Sequence, residues 1–141
     1  MDENRPKAGV GLLLIKGNSI LLGVRKVSHG VGEYSLPGGH LEYDESFEDC
    51  ALRELAEEAG TDIKVKKPKF LCVTNLRRYL PKHYVDIGMV AEWISGEPIT
   101  MEPNKKEDWH WYDLDDLPSP LFGCEDNYIE AYKTGRVYFD K

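Results

Sequence analysis

Glu54, Glu57 and Glu58 stand at positions i, i+3 and i+4 of a run of good helix formers, and this spacing restricts the fold more than any other feature. On an α-helix these positions share one face. Three like charges so placed repel one another, and an isolated helix carrying them is destabilised. A divalent cation offsets that repulsion directly. Hard Mg²⁺ takes oxygen ligands, keeps several of its waters, and commonly joins carboxylates to substrate phosphates. Arg53, four residues before Glu57, is placed to orient it by a charge-assisted hydrogen bond. The competing reading is an acidic helix face turned to solvent, and only the surrounding spacing decides between the two.

The helix has clear limits. Ser46 followed by Asp49 forms a capping-box pattern, and Gly60 stands where a C-terminal cap belongs, so the helix is expected over Ser46–Ala59. Ala8–Ile15 reads as a buried strand, Gly17-Asn18 as a tight turn, and Ser19–Arg25 as the returning strand of a hairpin. Tyr34–Leu36 is a short strand before Pro37-Gly38-Gly39 breaks regularity. Phe70–Asn75 and Tyr84–Trp93 are strand-like, and the second alternates, with Val85, Ile87, Met89, Ala91 and Trp93 on one face. Gly96–Glu107 reads as a polar loop, Asp108–Tyr112 as a short strand, and Leu121–Thr134 as a final helix ended by Gly135. The pattern predicts an α/β arrangement in which helices flank a mixed sheet, within one domain over residues 1–141.

Charge bears on partners. A net charge of −7 argues against nucleic-acid polymers, which are bound through dense Lys/Arg patches. It leaves room for a small anionic substrate, because a metal held by clustered carboxylates reverses the local field. The three cysteines, Cys50, Cys72 and Cys124, are widely spaced and include no C-x-x-C pair, which points to a reducing compartment rather than a disulfide framework. Met1–Lys7 is polar and lacks the apolar core of a secretory signal, and no apolar run is long enough to span a bilayer. A cytoplasmic protein without membrane contact is the expectation.

Spacing then settles the question of the acidic face. Gly39 is followed after five residues by Glu45, after seven more by Arg53-Glu54-Leu55, and then by Glu57-Glu58 and Gly60. This resembles the box of the Nudix hydrolase family, G-x5-E-x7-R-E-U-x-E-E-x-G-U, where U is a bulky aliphatic residue. Only the last defined position departs, with Thr61 in place of the aliphatic residue. The resemblance implies the Nudix fold, an α-β-α sandwich, and Mg²⁺-dependent hydrolysis of a diphosphate linkage, with Mn²⁺ able to substitute. It implies Glu57 and Glu58 as principal metal ligands, the Gly39 carbonyl as another, and Glu54 as a further ligand or the base. It also implies that Arg53 and Glu45 hold the loop and helix together. Glu107 on the distant loop is the alternative base, and Glu102 the weaker one.

Further segments are similar to a MutT-like nucleoside-triphosphate diphosphatase subgroup: Gly38-Gly39-His40-Leu41-Glu42, His83-Tyr84-Val85, Glu102-Pro103-x-Lys105, Trp109-x-Trp111 and Leu117-Pro118-x-Pro120-Leu121-Phe122. This likeness implies hydrolysis of a (deoxy)nucleoside triphosphate, including modified ones such as 8-oxo-dGTP, to monophosphate and pyrophosphate. It places Arg25 and His40 at phosphate and Leu36 and Phe122 on either side of a base. Members of the subgroup are often homodimers. Two departures bear on the substrate. Gly123 replaces a tryptophan common in relatives, and Asp86 replaces a small hydroxyl residue. Asp86, if it faces the pocket, is placed to accept hydrogen bonds from guanine. A nucleotide sugar, a dinucleotide or an isoprenoid diphosphate remains an alternative substrate, since the box reads the diphosphate and not its substituent. A non-catalytic nucleotide-binding module is a third reading, disfavoured because all the box carboxylates are present.

Overall fold

The computed structural model describes residues 4–26, 29–104 and 108–141. Nine strands and two helices occur among them, in the order β1 (Lys7–Lys16), β2 (Ser19–Val24), β3 (Tyr34–Ser35), β4 (Gly38–His40), α1 (Phe47–Ala59), β5 (Lys64–Val65), β6 (Lys69–Tyr79), β7 (Lys82–Ser95), β8 (His110–Asp113), α2 (Glu125–Thr134) and β9 (Tyr138–Asp140).

The long path of the sheet runs β3-β2-β1-β7-β6-β9, with β4 paired to β1, β5 to β7 and β8 to β2. It is mixed: β1 lies parallel to β7 and β9 parallel to β6, while the other pairs are antiparallel. Strand β1 is apolar almost throughout because both of its faces are covered. Val10, Leu12 and Leu14 pack with Cys50, Ala51 and Leu55 of α1, whereas Leu13 and Ile15 pack in the layer that holds Tyr128 and Ile129 of α2. Strand β7 divides in the same way, with Ile87, Met89 and Ala91 toward α1 and Tyr84 and Val90 toward the second layer. The α/β helix–sheet–helix architecture agrees with the expectation.

Helix α1 begins where its cap predicts, with the Ser46 hydroxyl accepting from the Asp49 N–H at 3.0 Å. It ends at Gly60, whose φ of 88° lies in the region that favours glycine. Two expectations need correction. Gly38–His40 does not break regularity but forms β4, which pairs with β1 through Gly9↔His40, Val10↔Gly39 and Gly11↔Gly38. Three residues carry too little pattern to show a strand, and the glycines are what let β4 approach: a Cβ on Gly38 would come within 2.5 Å of the Val10 carbonyl oxygen. The final helix starts at Glu125 rather than Leu121, because the Phe122 N–H donates to Tyr34 and the Tyr34 N–H to Pro120, tying that stretch to β3 instead. The tail also adds β9, which buries Phe139 beside α2.

Candidate functional site

Strand β4 lies between β1 and α1 and brings the glycine pair against the acidic face of the helix. The Gly38 N–H donates to Glu58 Oε1 at 3.0 Å, so the buried Glu58 carboxylate is anchored to the strand. Gly39 faces Glu54, whose carboxylate occupies the space that a Cβ at Gly39 would need.

Arg53 organises the cluster. Its Nε and Nη2 donate to the two oxygens of Glu45 at 2.7 and 3.0 Å, a bidentate pair. Nη2 also reaches the His40 carbonyl at 3.0 Å, and Nη1 donates to Glu54 at 3.0 Å. The expected contact with Glu57 is present but longer, at 3.3 Å. Arg53 therefore orients Glu45 and Glu54 first and Glu57 second. The arginine hydrogen bond pulls Glu45 down to about 2. Glu54 shifts the opposite way: burial raises its pKa, Arg53 opposes this, and the charges of Glu57 and Glu102 add to the rise.

Glu102 reaches this neighbourhood through the loop after β7. The Ile99 N–H donates to the Ala59 carbonyl and the Met101 N–H to the Glu58 carbonyl, docking the loop on the end of α1. Trp109 Nε1 also donates to the Glu58 carbonyl, at 3.0 Å. Glu107, the other candidate base, lies outside the described residues. Among the described residues, no group of three His, Cys, Asp or Glu side chains is gathered closely enough to hold an ion. The donors are nonetheless of the right chemistry, hard carboxylate oxygens on one helix face, with Glu58 turned to Gly38 and Glu54 and Glu57 turned to Arg53.

A cavity of about 150 Å³ adjoins the glycine pair, and Arg25, Leu36, His40, Asp86 and Phe122 all line it. The arrangement within it differs from a simple sandwich of Leu36 and Phe122. The Arg25 guanidinium lies 3.9 Å from the Phe122 ring centroid, and Tyr79 stacks on the same ring at 5.4 Å. Tyr79 thus gives Phe122 the aromatic neighbour that Gly123 lacks, and its hydroxyl accepts from the Gly123 N–H. Arg25 donates through Nε to the His29 carbonyl at 3.0 Å, while burial lowers its pKa against the nearby charges of Glu125 and Glu58. Asp86 accepts from the Tyr128 hydroxyl at 2.6 Å, and burial raises its pKa. His40 stacks on Tyr84.

Sequence reasoning singled out neither Glu125 nor Tyr128. Glu125 is buried and accepts from the Leu36 N–H at 3.1 Å, and Tyr128 fixes Asp86. A signal existed in the aromatic and acid on adjacent turns of α2, but only the fold shows that Tyr128 faces β7 and that Glu125 faces Leu36.

A sequence profile described as the NUDIX domain matches residues 5–132. A NAD-capped RNA hydrolase, NudC, from Stutzerimonas stutzeri is 33% identical over 108 residues, covering 77% of this chain and 37% of the relative. The chain thus spans little more than a third of the length of that curated relative. The crystal structure of a MutT NUDIX hydrolase from Burkholderia pseudomallei superposes with a TM-score of 0.83 at 34% identity, covering 90% of this chain and 98% of the other. The NUDIX domain of Shewanella oneidensis NrtR, in complex with ADP ribose, gives a TM-score of 0.77 at 26% identity, covering 92% of this chain and 87% of that one.

Proposed function

The chain belongs to the Nudix family, and from that premise we propose that it is a divalent-cation-dependent pyrophosphohydrolase of nucleoside diphosphate derivatives. The observation that carries this reading is the Arg53 network, which gathers Glu45, Glu54, Glu57 and the His40 carbonyl around the glycine pair. An acidic face meant only for solvent has no need of a buried Glu58 anchored to a strand.

Glu57 and Glu58 are the principal ligands of the cation in this reading, joined by the Gly39 carbonyl, with Glu54 a further ligand or the base. When bound, Mg²⁺ (or Mn²⁺ in its place) neutralises phosphate charge and lowers the pKa of the attacking water. Water attacks phosphorus, the bridging P–O bond breaks, and a carboxylate accepts the water's proton. Glu54, bonded to Arg53 and facing Gly39, is the first candidate for that last task. Glu107 and Glu102 are the alternative bases. Arg25 and His40 meet phosphate, and Leu36, Phe122 and Asp86 border the group attached to it.

Within the class, the narrower reading is a (deoxy)nucleoside triphosphate cut to monophosphate and pyrophosphate, with 8-oxo-dGTP among the candidates. The NAD-capped RNA hydrolase and the ADP-ribose complex among the similar proteins favour a second reading, a dinucleotide or ADP-ribose type of linkage. A panel of nucleoside triphosphates, 8-oxo-dGTP, ADP-ribose, NAD and an NAD-capped RNA, with Mg²⁺ and separate detection of pyrophosphate and monophosphate, tests both. Pyrophosphate release from triphosphates supports the first, and monophosphate pairs from ADP-ribose or NAD support the second. No release from any member would remove the enzymatic reading. Asp86→Ala is expected to change relative rates among bases, and unchanged ratios would remove the guanine preference.

Cytoplasmic residence accords with three buried free thiols, Cys50, Cys72 and Cys124. No helix among the described residues is long and apolar enough to cross a membrane. A homodimer is the expected assembly, and light scattering on the purified chain measures it.

A further inference from the structure

A second cavity, of about 510 Å³, opens beside the first at the start of β1 and β7. The two share Arg25, His29, His40 and Tyr84 as a common wall. Arg5, Lys7 and Lys82 line the second cavity together with His83, and no Asp or Glu lines it among the described residues. In a chain of net charge −7, so many cations around one hollow form a local reversal of sign.

We propose that this cavity is a second phosphate-binding site, built on Arg5, Lys7 and Lys82 and sharing only the wall that includes Arg25 and His40 with the diphosphate-cleaving site. Four features of the cavity support it. Register places Lys7 directly opposite Tyr84 across the β1–β7 pair and Lys82 opposite Tyr79 across β6–β7, so both lysines are set by the sheet. Lys82 Nζ lies 3.2 Å from His29 Nδ1, so the two side chains meet at the wall that the cavities share. His83 Nε2 is fixed at 2.6 Å from the Asn75 side-chain oxygen, so its ring is oriented. Finally, guanidinium and ammonium groups around an open hollow match a multiply charged tetrahedral oxyanion better than a single carboxylate. Because the wall is shared with the first cavity, a phosphate here would belong to the same molecule, outside the linkage that is cleaved. That last step rests on the function proposed above; the site itself does not.

The experiment is a titration of the full chain with inorganic phosphate in the presence of EDTA, followed by NMR of the histidine ring protons. EDTA removes the box as a competing site. His29 and His83 are expected to shift saturably, while His110, on β8 and away from the cavity, stays still. Lys7→Ala and Lys82→Ala, both at exposed positions, should each weaken the apparent affinity about fivefold, the scale of a partly screened ion pair. Raising the salt should weaken it further. Methyl phosphate and dimethyl phosphate as alternative probes separate a terminal phosphate from a phosphodiester, and tighter binding of either supports the site. Shifts that are linear in phosphate and equal at His110, or that are unchanged in both lysine variants, would overturn it. Failure of Mg²⁺-dependent hydrolysis with saturable phosphate binding intact would remove the enzymatic reading and leave the site standing.

Discussion

Gly38 and Gly39 are neighbours in β4, yet substitution at each should fail differently. A methyl group at Gly38 meets backbone, the Val10 carbonyl and the Gly11 Cα, which cannot step aside. Gly38→Ala is therefore expected to cost about 1–3 kcal/mol of stability, measured by urea denaturation. At Gly39 the methyl meets the end of the Glu54 side chain, which can rotate away. Gly39→Ala should leave the denaturation midpoint nearly unchanged and lower turnover, since Glu54 is displaced. Equal loss of stability in both variants would contradict this assignment. Glu54, Glu57, Glu58 and Arg53 were all legible in the sequence, because helical spacing alone puts them together. Helical spacing by itself gives Arg53 only Glu57 as a partner, and the family resemblance adds Glu45; the short bonds go to Glu45 and Glu54. Glu45 precedes the helix, and only the turn into Ser46 brings it within reach.

Helix α1 is held to the loop before it by the Glu45–Arg53 pair, and this makes a pH-dependent contribution. The native pKa of Glu45 lies below its ordinary value of 4.5, at about 2. A lowered carboxylate pKa means that the native state binds the proton less well, so the pair stabilises fully above about 4.5 and loses its effect as pH falls toward about 2. Thermal unfolding of the wild type should decline across that window, and Glu45→Gln should flatten the decline. A parallel decline in both proteins would remove Glu45 as the source. Strand β9 makes the opposite kind of statement, one of packing. Phe139 is 3% exposed and packs in the layer that holds α2, so Phe139→Ala should cost about 3–5 kcal/mol, again by urea denaturation. Such short elements escape a reading of pattern. β4, β5 and β9 have two or three residues each and exist because a long strand beside them offers a free edge. The long strands and α1 were legible because burial on two faces, or one face of a helix, leaves a periodic trace.

Across the whole molecule, charge is distributed against its average. The acidic face of α1 gathers the hard oxygen donors, and the mouth beside it gathers Arg5, Lys7, Arg25 and Lys82. Net charge alone hid that division, since cations at the ends of β1, β2 and β7 meet only in the folded chain. The sheet connects the two regions: β1 carries Lys7 at one end and pairs with β4, which carries Gly38 and Gly39 to α1. The most direct measurement on this account is Mg²⁺-dependent hydrolysis by the wild type and Glu58→Gln, assayed on the preferred diphosphate substrate at saturating Mg²⁺. Glutamine retains an acceptor for the Gly38 N–H, so the fold should persist. Turnover should fall at least about a hundredfold, or about 2.7 kcal/mol of barrier. Near-wild-type turnover in a folded Glu58→Gln protein would contradict metal-assisted cleavage at this face of α1.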